Sequence, residues 1–431
     1  VRKALFLDVT KTFESRFATG IQRVVRELVR RSAWIGELLD LDVDIVVATR
    51  SGYYRLDKDA VSDLVDPPRS PSAALVMQSS LTRIAKRVVQ AIPPIYAFLQ
   101  RRSVNRRMRV LTAGLEPITA KHETIVILID SFGNGSPSVE AILRAKRAGA
   151  STIAIVYDAI PLEHPEMTPS TTAYPFRRAF NRLAVELDGL ITISRSSADE
   201  IRRQDAVVRS GTPVTSFYLG RDIPIFGNAA LAPSIPEIAW QGGPTFIMIG
   251  SIEPRKRHAA VLAAFDRLWD AGTVANLVMI GRIGWEIEDF VSQARSHPRY
   301  GTNLFLCHEV DDMELQYAMM RASATIIASK AEGFGLPIVE SLALGVPVIA
   351  SDIPIFREVA GDAGCFFPPD DLDEFARVIA RFIESPDGYR VAARAFQWIN
   401  WDDSARQFTD AVQSILAEVD VNHPDAGASA E

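Results

Sequence analysis

Cysteine is almost absent: Cys307 and Cys365 are the only two in 431 residues. That is too few for a disulfide framework and lacks metal-ligand spacing, so both read as buried free thiols in a reducing cytoplasm. Long apolar runs are missing as well. No stretch reaches the roughly eighteen apolar residues of a membrane span, so any membrane contact should be peripheral, and the protein is expected on the inner face. The opening VRKALFLDVT has a strand-length apolar run and no small-residue cleavage site, so no signal peptide is expected. Excess positive charge is also lacking. A net charge of −6 argues against a nucleic-acid partner, because such proteins usually present a basic domain. With 48% hydrophobic residues the chain is not broadly disordered, and its length implies two domains of roughly 200 residues each.

One absence is local. Between Pro67 and Leu115 there is no Asp or Glu, yet there are nine Arg or Lys. Leu81, Ile84, Ala85, Val88, Val89 and Ile92 form a helical stripe with Arg83, Lys86 and Arg87 opposite. The cluster Arg101, Arg102, Arg106, Arg107 and Arg109 follows. Residues 79–109 are therefore expected to meet an anionic membrane surface, within a basic insertion at 67–115 that lies over the acceptor side. The competing reading is a core-packed helix whose cations are merely solvated.

What the chain does contain is a series of short, β-branched runs. ALFLDV, DIVVAT, TIVILI, STIAIVY, GLITIS and VTSFYL predict a buried parallel sheet in the first half. Ile21, Val24, Val25, Leu28 and Val29 predict a helix opening at Gly20 that packs back on that sheet. Ligands in open α/β sheets collect at the carboxyl ends of strands, so the loop before Gly20 should border a site. Asp40, Asp42 and Asp44 alternate like metal ligands but precede their strand, which puts them at the wrong end.

The densest signal is SKAEGFGLPIVESLALGVPVIAS, from Ser329 to Ser351. It predicts a strand end, a glycine-broken turn, a helix with Pro337 at its first position, and a second strand after Gly345. A helix N-terminus with unpaired amides attracts phosphate or a hydroxyl-rich ligand. Glu332 and Glu340 flank it, and each alone could be an ordinary loop or helix-start carboxylate. Upstream, Gly250 begins GSIEPRK, which places Arg255 and Lys256 after a strand where two fixed cations could neutralise a diphosphate. Neither GxGxxG nor GxxxxGK[ST] occurs in this half, so dinucleotide and P-loop readings lack support.

Together these residues resemble the retaining nucleotide-sugar glycosyltransferases of family 4. EGFGLPxxE is matched by Glu332, Gly333, Phe334, Gly335, Leu336, Pro337 and Glu340, and GxxEPRK by Gly250 through Lys256. TGIQRVVREL is similar to the opening of a bacterial polysaccharide and O-antigen mannosyltransferase subgroup. The resemblance implies an α/β GT-B fold, with two Rossmann-like domains whose parallel sheets face each other across a cleft and a C-terminal helix crossing back to the first. It implies that Glu332 and the backbone of Gly333, Phe334, Gly335 and Leu336 meet the donor sugar, and that Glu340 binds the ribose. Arg255 and Lys256 would grip the pyrophosphate, with Gly250 beside them and Arg282 and Val310 near the base. Gly20 and Arg23 would lie near donor phosphate or acceptor. Asp158 would contact sugar hydroxyls, although Tyr157 stands where the family often has His. No metal and no cofactor beyond the nucleotide sugar is expected.

The expected organisation is an acceptor-side domain at 1–222, a Pro- and Gly-rich linker at 223–244 and a donor-binding domain at 245–385. Returning helices at 386–420 and a polar tail at 421–431 complete it. The expected reaction moves a hexose, mannose from GDP-mannose, to a glycan or lipid-linked saccharide. The alternatives are a nucleotide-sugar epimerase of the same fold and a non-catalytic sugar-nucleotide binder at the membrane.

Overall fold

The computed structural model describes residues 2–15, 20–66, 93–133, 136–221, 234–308 and 310–422. The chain divides into two compact units, Val1–Gly220 with Trp401–Glu431, and Arg221–Asn400. Unit 1 is built on the strands β1 (Ala4–Asp8), β2 (Asp42–Ala48), β3 (Tyr53–Arg55), β4 (Glu116–Ile118), β5 (Thr124–Leu128), β6 (Ser151–Val156), β7 (Gly189–Thr192) and β8 (Val214–Ser216). They form one sheet in the order β4-β3-β2-β1-β5-β6-β7-β8. The six longer-range strands read from the sequence are its parallel part. All five residues of β5 are buried, as expected of a strand covered by helices on both faces. The sequence reading missed β3 and β4, which pair antiparallel at one edge, Tyr53 opposite Ile118. Each has only three residues, too few to show a period.

Unit 2 holds β9 (Thr245–Ile249), β10 (Asn276–Ile280), β11 (Leu304–Cys307), β12 (Ala324–Ile327), β13 (Val348–Ser351) and β14 (Gly364–Phe367). Every pairing in this sheet is parallel, in the order β11-β10-β9-β12-β13-β14. A core of Phe246, Phe265, Trp269, Phe290, Phe375 and Phe382 packs on one face. A second cluster including Ile247, Val278 and Phe305 packs on the other.

The helix Trp401–Asn422 returns to unit 1. Gly189 at the start of β7 explains how closely it docks, because a Cβ there would lie 2.5 Å from Ile415. Phe408 meets Phe217 edge-on, the Ser404 hydroxyl donates to the Tyr218 carbonyl at 2.6 Å, and Arg31 pairs with Asp402 at 2.6 Å.

Three expectations need correction. The helix Asp387–Ala395, expected among the returning helices, packs against helix Leu336–Ala343 and β14 in unit 2, so the return begins at Trp401. The proposed linker is shorter than 223–244. Ile235 and Ala239 are buried beneath the unit 2 sheet, and Ser234 is bound to Glu314 through its amide and hydroxyl at 2.8 and 2.7 Å. In sequence the Pro and Gly of this stretch mask its apolar residues. Finally, the second half of the basic segment is the helix Pro93–Leu111, built into unit 1 rather than laid over it. Val104 and Met108 are buried, the helix packs on Ser170–Glu186, and Arg107 pairs with Glu14 at 3.3 Å. The apolar stripe from Leu81 to Ile92 lies outside the described residues.

Candidate active site

In unit 2 the chain steps from β9 outward to β10 on one side, while β12 leads to β13 on the other. The point between β9 and β12 is therefore where strand order reverses, and the crevice beyond their carboxyl ends is the place where such sheets hold ligands. The two most informative stretches of sequence leave these two strands. After β9 come Gly250 and the turn Pro254–Lys256; after β12 come Ser329 and Glu332.

Side chains and backbone lock the two loops together. The Lys330 amide donates to the Arg255 carbonyl at 3.1 Å, and the Arg255 guanidinium donates to the Ala331 carbonyl at 2.6 Å. The Glu332 carboxylate receives Arg255 at 2.8 Å, Lys256, and the Ser329 hydroxyl at 2.9 Å. Its side chain is 13% exposed. Burial pushes its pKa upward, but Lys256 and Arg255 outweigh that and hold it down at about 2, so the group is ionised at neutral pH. Arg255 also donates to Glu253 at 2.7 Å, so its fork is largely engaged in holding the loops. Lys256 differs. An ammonium has three N–H donors, and the bond to Glu332 uses one.

Glycine shapes the floor beneath Lys256. Gly250 has φ +133, a backbone conformation that favours glycine, and its Cα lies beside the lysine side chain, where a Cβ would be in ordinary contact with Cε at 3.7 Å. Next to it, a Cβ on Gly281 would sit 1.9 Å from the Gly250 carbonyl oxygen, so the end of β10 can approach that of β9 only with glycine at 281. On the other side Gly335, with φ +101, caps the helix Leu336–Ala343. The helix starts at Leu336, so Pro337 occupies its second position rather than its first. The missing N–H is harmless there for the same reason. Phe334 turns inward, 3% exposed and edge-on to Trp398 at 5.9 Å, so only its backbone is left to face a ligand. Glu340 lies partly exposed in the same helix. Arg282 is exposed after β10, its carbonyl receiving the Ile252 amide at 2.8 Å. Val310 packs against the second cluster of the core.

Gly20, Arg23 and Asp158 belong to unit 1 and are described within it. Gly20 opens the helix Gly20–Arg30 as expected, and Arg23 is half-buried there. Asp158 follows β6 and accepts the Ile160 amide at 3.0 Å, turning the chain into a short helix. Tyr157 is buried and donates its hydroxyl to the Ile129 carbonyl at 2.6 Å, a bond that ties the ends of β5 and β6 together. Sequence reasoning missed two carboxylates in this unit. Asp8 ends β1 and Asp130 follows β5, neighbouring strands at the reversal point of this sheet. Both are fully buried, and burial raises both to about 6. Asp8 accepts the Thr10 amide at 3.0 Å and Asp130 accepts the Thr12 amide at 2.5 Å, so they hold the turn Thr10–Glu14. The signal was present: an acid closing an otherwise apolar strand, twice, as in ALFLD and TIVILID. Among the described residues no group of three or more His, Cys, Asp or Glu is placed to hold a metal ion.

Known proteins resemble this chain in sequence and in fold. Residues 235–396 match the family described as Glycosyl transferases group 1. The chain is 30% identical over 302 residues to the serotype-specific mannosyltransferase WbdA of Escherichia coli, covering 67% of this chain but 37% of WbdA. It therefore spans little more than a third of that relative. The O-antigen chain mannosyltransferase B of Escherichia coli is 28% identical over 251 residues, 55% of this chain and 64% of that one. Among solved structures, sucrose-phosphate synthase from Thermosynechococcus elongatus superposes with a TM-score of 0.56 at 15% identity, covering 97% of this chain and 100% of that one. The Anabaena protein HepE, solved with UDP and glucose, superposes at 0.52 and 15%, covering 99% and 100%. These structural likenesses show the fold alone: GT-B, with two Rossmann-like domains.

Proposed function

Because residues 235–396 form a group 1 glycosyl transferase domain, we propose that this protein is a retaining hexosyltransferase, moving mannose from GDP-mannose to a glycan or lipid-linked saccharide. The mannosyl assignment draws on the names of WbdA and the O-antigen relative. The observation that carries the reading is the anchoring of ionised Glu332 between Arg255 and Lys256 at the strand-order reversal of unit 2.

In this reading the donor diphosphate lies against Lys256 and the amides that open Leu336–Ala343, where positive partial charge is already oriented. Arg255 holds both loops in register, so Lys256 is presented without reorganisation. The bond between the sugar's anomeric carbon and the diphosphate oxygen breaks, and its electron pair leaves with the diphosphate. Lys256 stabilises that developing charge. Glu332, acceptor-only when ionised, orients the sugar through its hydroxyls. The acceptor hydroxyl attacks from the leaving-group face, and a phosphate oxygen takes its proton. No side chain serves as nucleophile, and no metal is required. Glu340 holds the ribose, Gly250 and Gly333 to Leu336 form the backbone cradle, and Arg282 and Val310 border the base. In unit 1 the reading assigns Gly20 and Arg23 to donor phosphate or acceptor, and Asp158 to sugar hydroxyls. Exposed Arg102 and Arg106 bring the enzyme to anionic lipid on the inner face of the membrane.

The test is incubation with GDP-mannose and a lipid-linked saccharide, with and without a chelator, scored by product mass. Glu332→Gln should lower kcat at least a hundredfold while circular dichroism shows the fold retained, although the melting temperature falls because Arg255 and Lys256 lose their buried partner, and Lys256→Ala should weaken donor binding at least tenfold. Normal turnover in either variant would overturn the reading.

A further inference from the structure

Unit 1 contains a cationic hollow that the reading above does not use. Two adjoining cavities, of about 270 and 240 Å³, share Arg50 and Asn105. Arg144 lines the first and Arg109 the second. They come from three separate elements. Arg50 follows β2, Asn105 and Arg109 lie on the helix Pro93–Leu111, and Arg144 is on the helix Ser138–Arg147. The hollow opens at the carboxyl ends of the strands, beside the reversal point between β1 and β5.

Its charge is unbalanced. The Arg144 guanidinium is fixed by the Thr49 carbonyl at 3.2 Å, and none of Arg50, Arg109 and Arg144 forms an ion pair among the described residues. The one lining carboxylate, Glu140, is taken by Arg182 through two bonds of 2.7 and 3.2 Å. Each cavity brings two guanidinium groups to one space, Arg50 with Arg144 in the first and Arg50 with Arg109 in the second; like charges so placed repel, and an anion held by their N–H forks would relieve that repulsion. Planar guanidinium forks match phosphate oxygens better than they match any neutral sugar. Asn105 adds a side chain that is 8% exposed at the wall common to both cavities. Either cavity, of about 270 or 240 Å³, is of a size that suits one or two phosphoryl groups.

We propose that Arg50, Arg109, Arg144 and Asn105 form an anion site for the phosphoryl or diphosphoryl group that links the acceptor glycan to its carrier. The inference rests on the glycosyltransferase reading, since it names the acceptor's chemistry, but its test needs no turnover. The site would set which end of the acceptor is held, leaving the sugar end free to react.

The experiment is calorimetric titration of the full chain with inorganic pyrophosphate and with a short prenyl diphosphate. It uses wild type, Arg50→Gln/Arg109→Gln and Lys256→Ala, the last removing the competing diphosphate site of unit 2. Support is binding that persists in Lys256→Ala, falls at least tenfold in the double variant, and is tighter for prenyl diphosphate than for pyrophosphate. Loss in Lys256→Ala with retention in the double variant would place the anion in unit 2 and overturn the proposal, as would an absence of binding in wild type. Equal affinity for the two probes would mark a free-anion site and overturn the acceptor assignment. Melting temperatures within about 2 °C of wild type exclude unfolding as the cause, which is expected because both substituted arginines are exposed. If GDP-mannose transfer fails while this binding pattern holds, the fault lies with the donor reading alone.

Discussion

Single residues at the unit 2 site divide into those that touch and those that make room. Lys256 keeps donors to spare, whereas Arg255 spends its own on Ala331, Glu332 and Glu253. Gly250 contributes a positive φ and Gly281 the absence of a side chain, and Gly281 has the smaller tolerance. Gly281→Ala should therefore destabilise unit 2 by about 3 kcal/mol, because the methyl group meets backbone rather than a movable side chain. Gly388→Ala, in a helix with nothing within 4 Å of the new methyl, should be neutral or stabilising by about 0.5–1 kcal/mol. Chemical denaturation of both variants checks the contrast. Equal effects would mean that the close approach of β9 and β10 is not what requires glycine. In sequence the two glycines look alike; the difference lies in a neighbour more than thirty positions away.

At the scale of elements, the two strand-order reversals are wired with opposite electrostatics. In unit 1, burial raises Asp8 and Asp130 from 3.8 to about 6, and Glu200, near Glu163 and Asp158, from 4.5 to about 7. A folded pKa above the unfolded one gives stability that is full at low pH and lost as pH rises through the folded value. In unit 2, Glu332 falls from 4.5 to about 2, and His258, buried beside Lys256, from 6.5 to about 3. These contribute stability at neutral pH that is lost as pH falls, His258 from about 6.5 and Glu332 from about 4.5. Taking the protein from pH 7.5 to 4.5 should thus strengthen β1 and β5 and weaken β9 and β12. Hydrogen exchange resolved by peptide would show protection moving in opposite directions. Protection moving together in both units would refute the assignment of these groups.

For the whole molecule, the helix Trp401–Asn422 belongs to unit 1 although nearly two hundred residues separate it in sequence. Trp401, Phe408, Val412 and Ile415 are at most 1% exposed, and each contributes about 2 kcal/mol by burial. Their total is comparable with the stability of an ordinary domain, so a chain ending at Asn400 should lose the cooperative unfolding of unit 1 and keep that of unit 2. Calorimetry of the truncated chain measures this, and two intact transitions would show the helix to be dispensable. The sequence alone determined the α/β class, both parallel sheets, the strand ends that carry Gly250, Lys256 and Glu332, and the kinship of EGFGLPIVE, because apolar period and glycine-broken turns are local properties. Tertiary structure alone decided that Asp387–Ala395 stays with unit 2, that Ile235 and Ala239 are core rather than linker, and that Arg50, Arg109 and Arg144 line two adjoining cavities. Each of those depends on which distant residue supplies the neighbouring surface, and burial and charge balance are set by neighbours rather than by the residue itself.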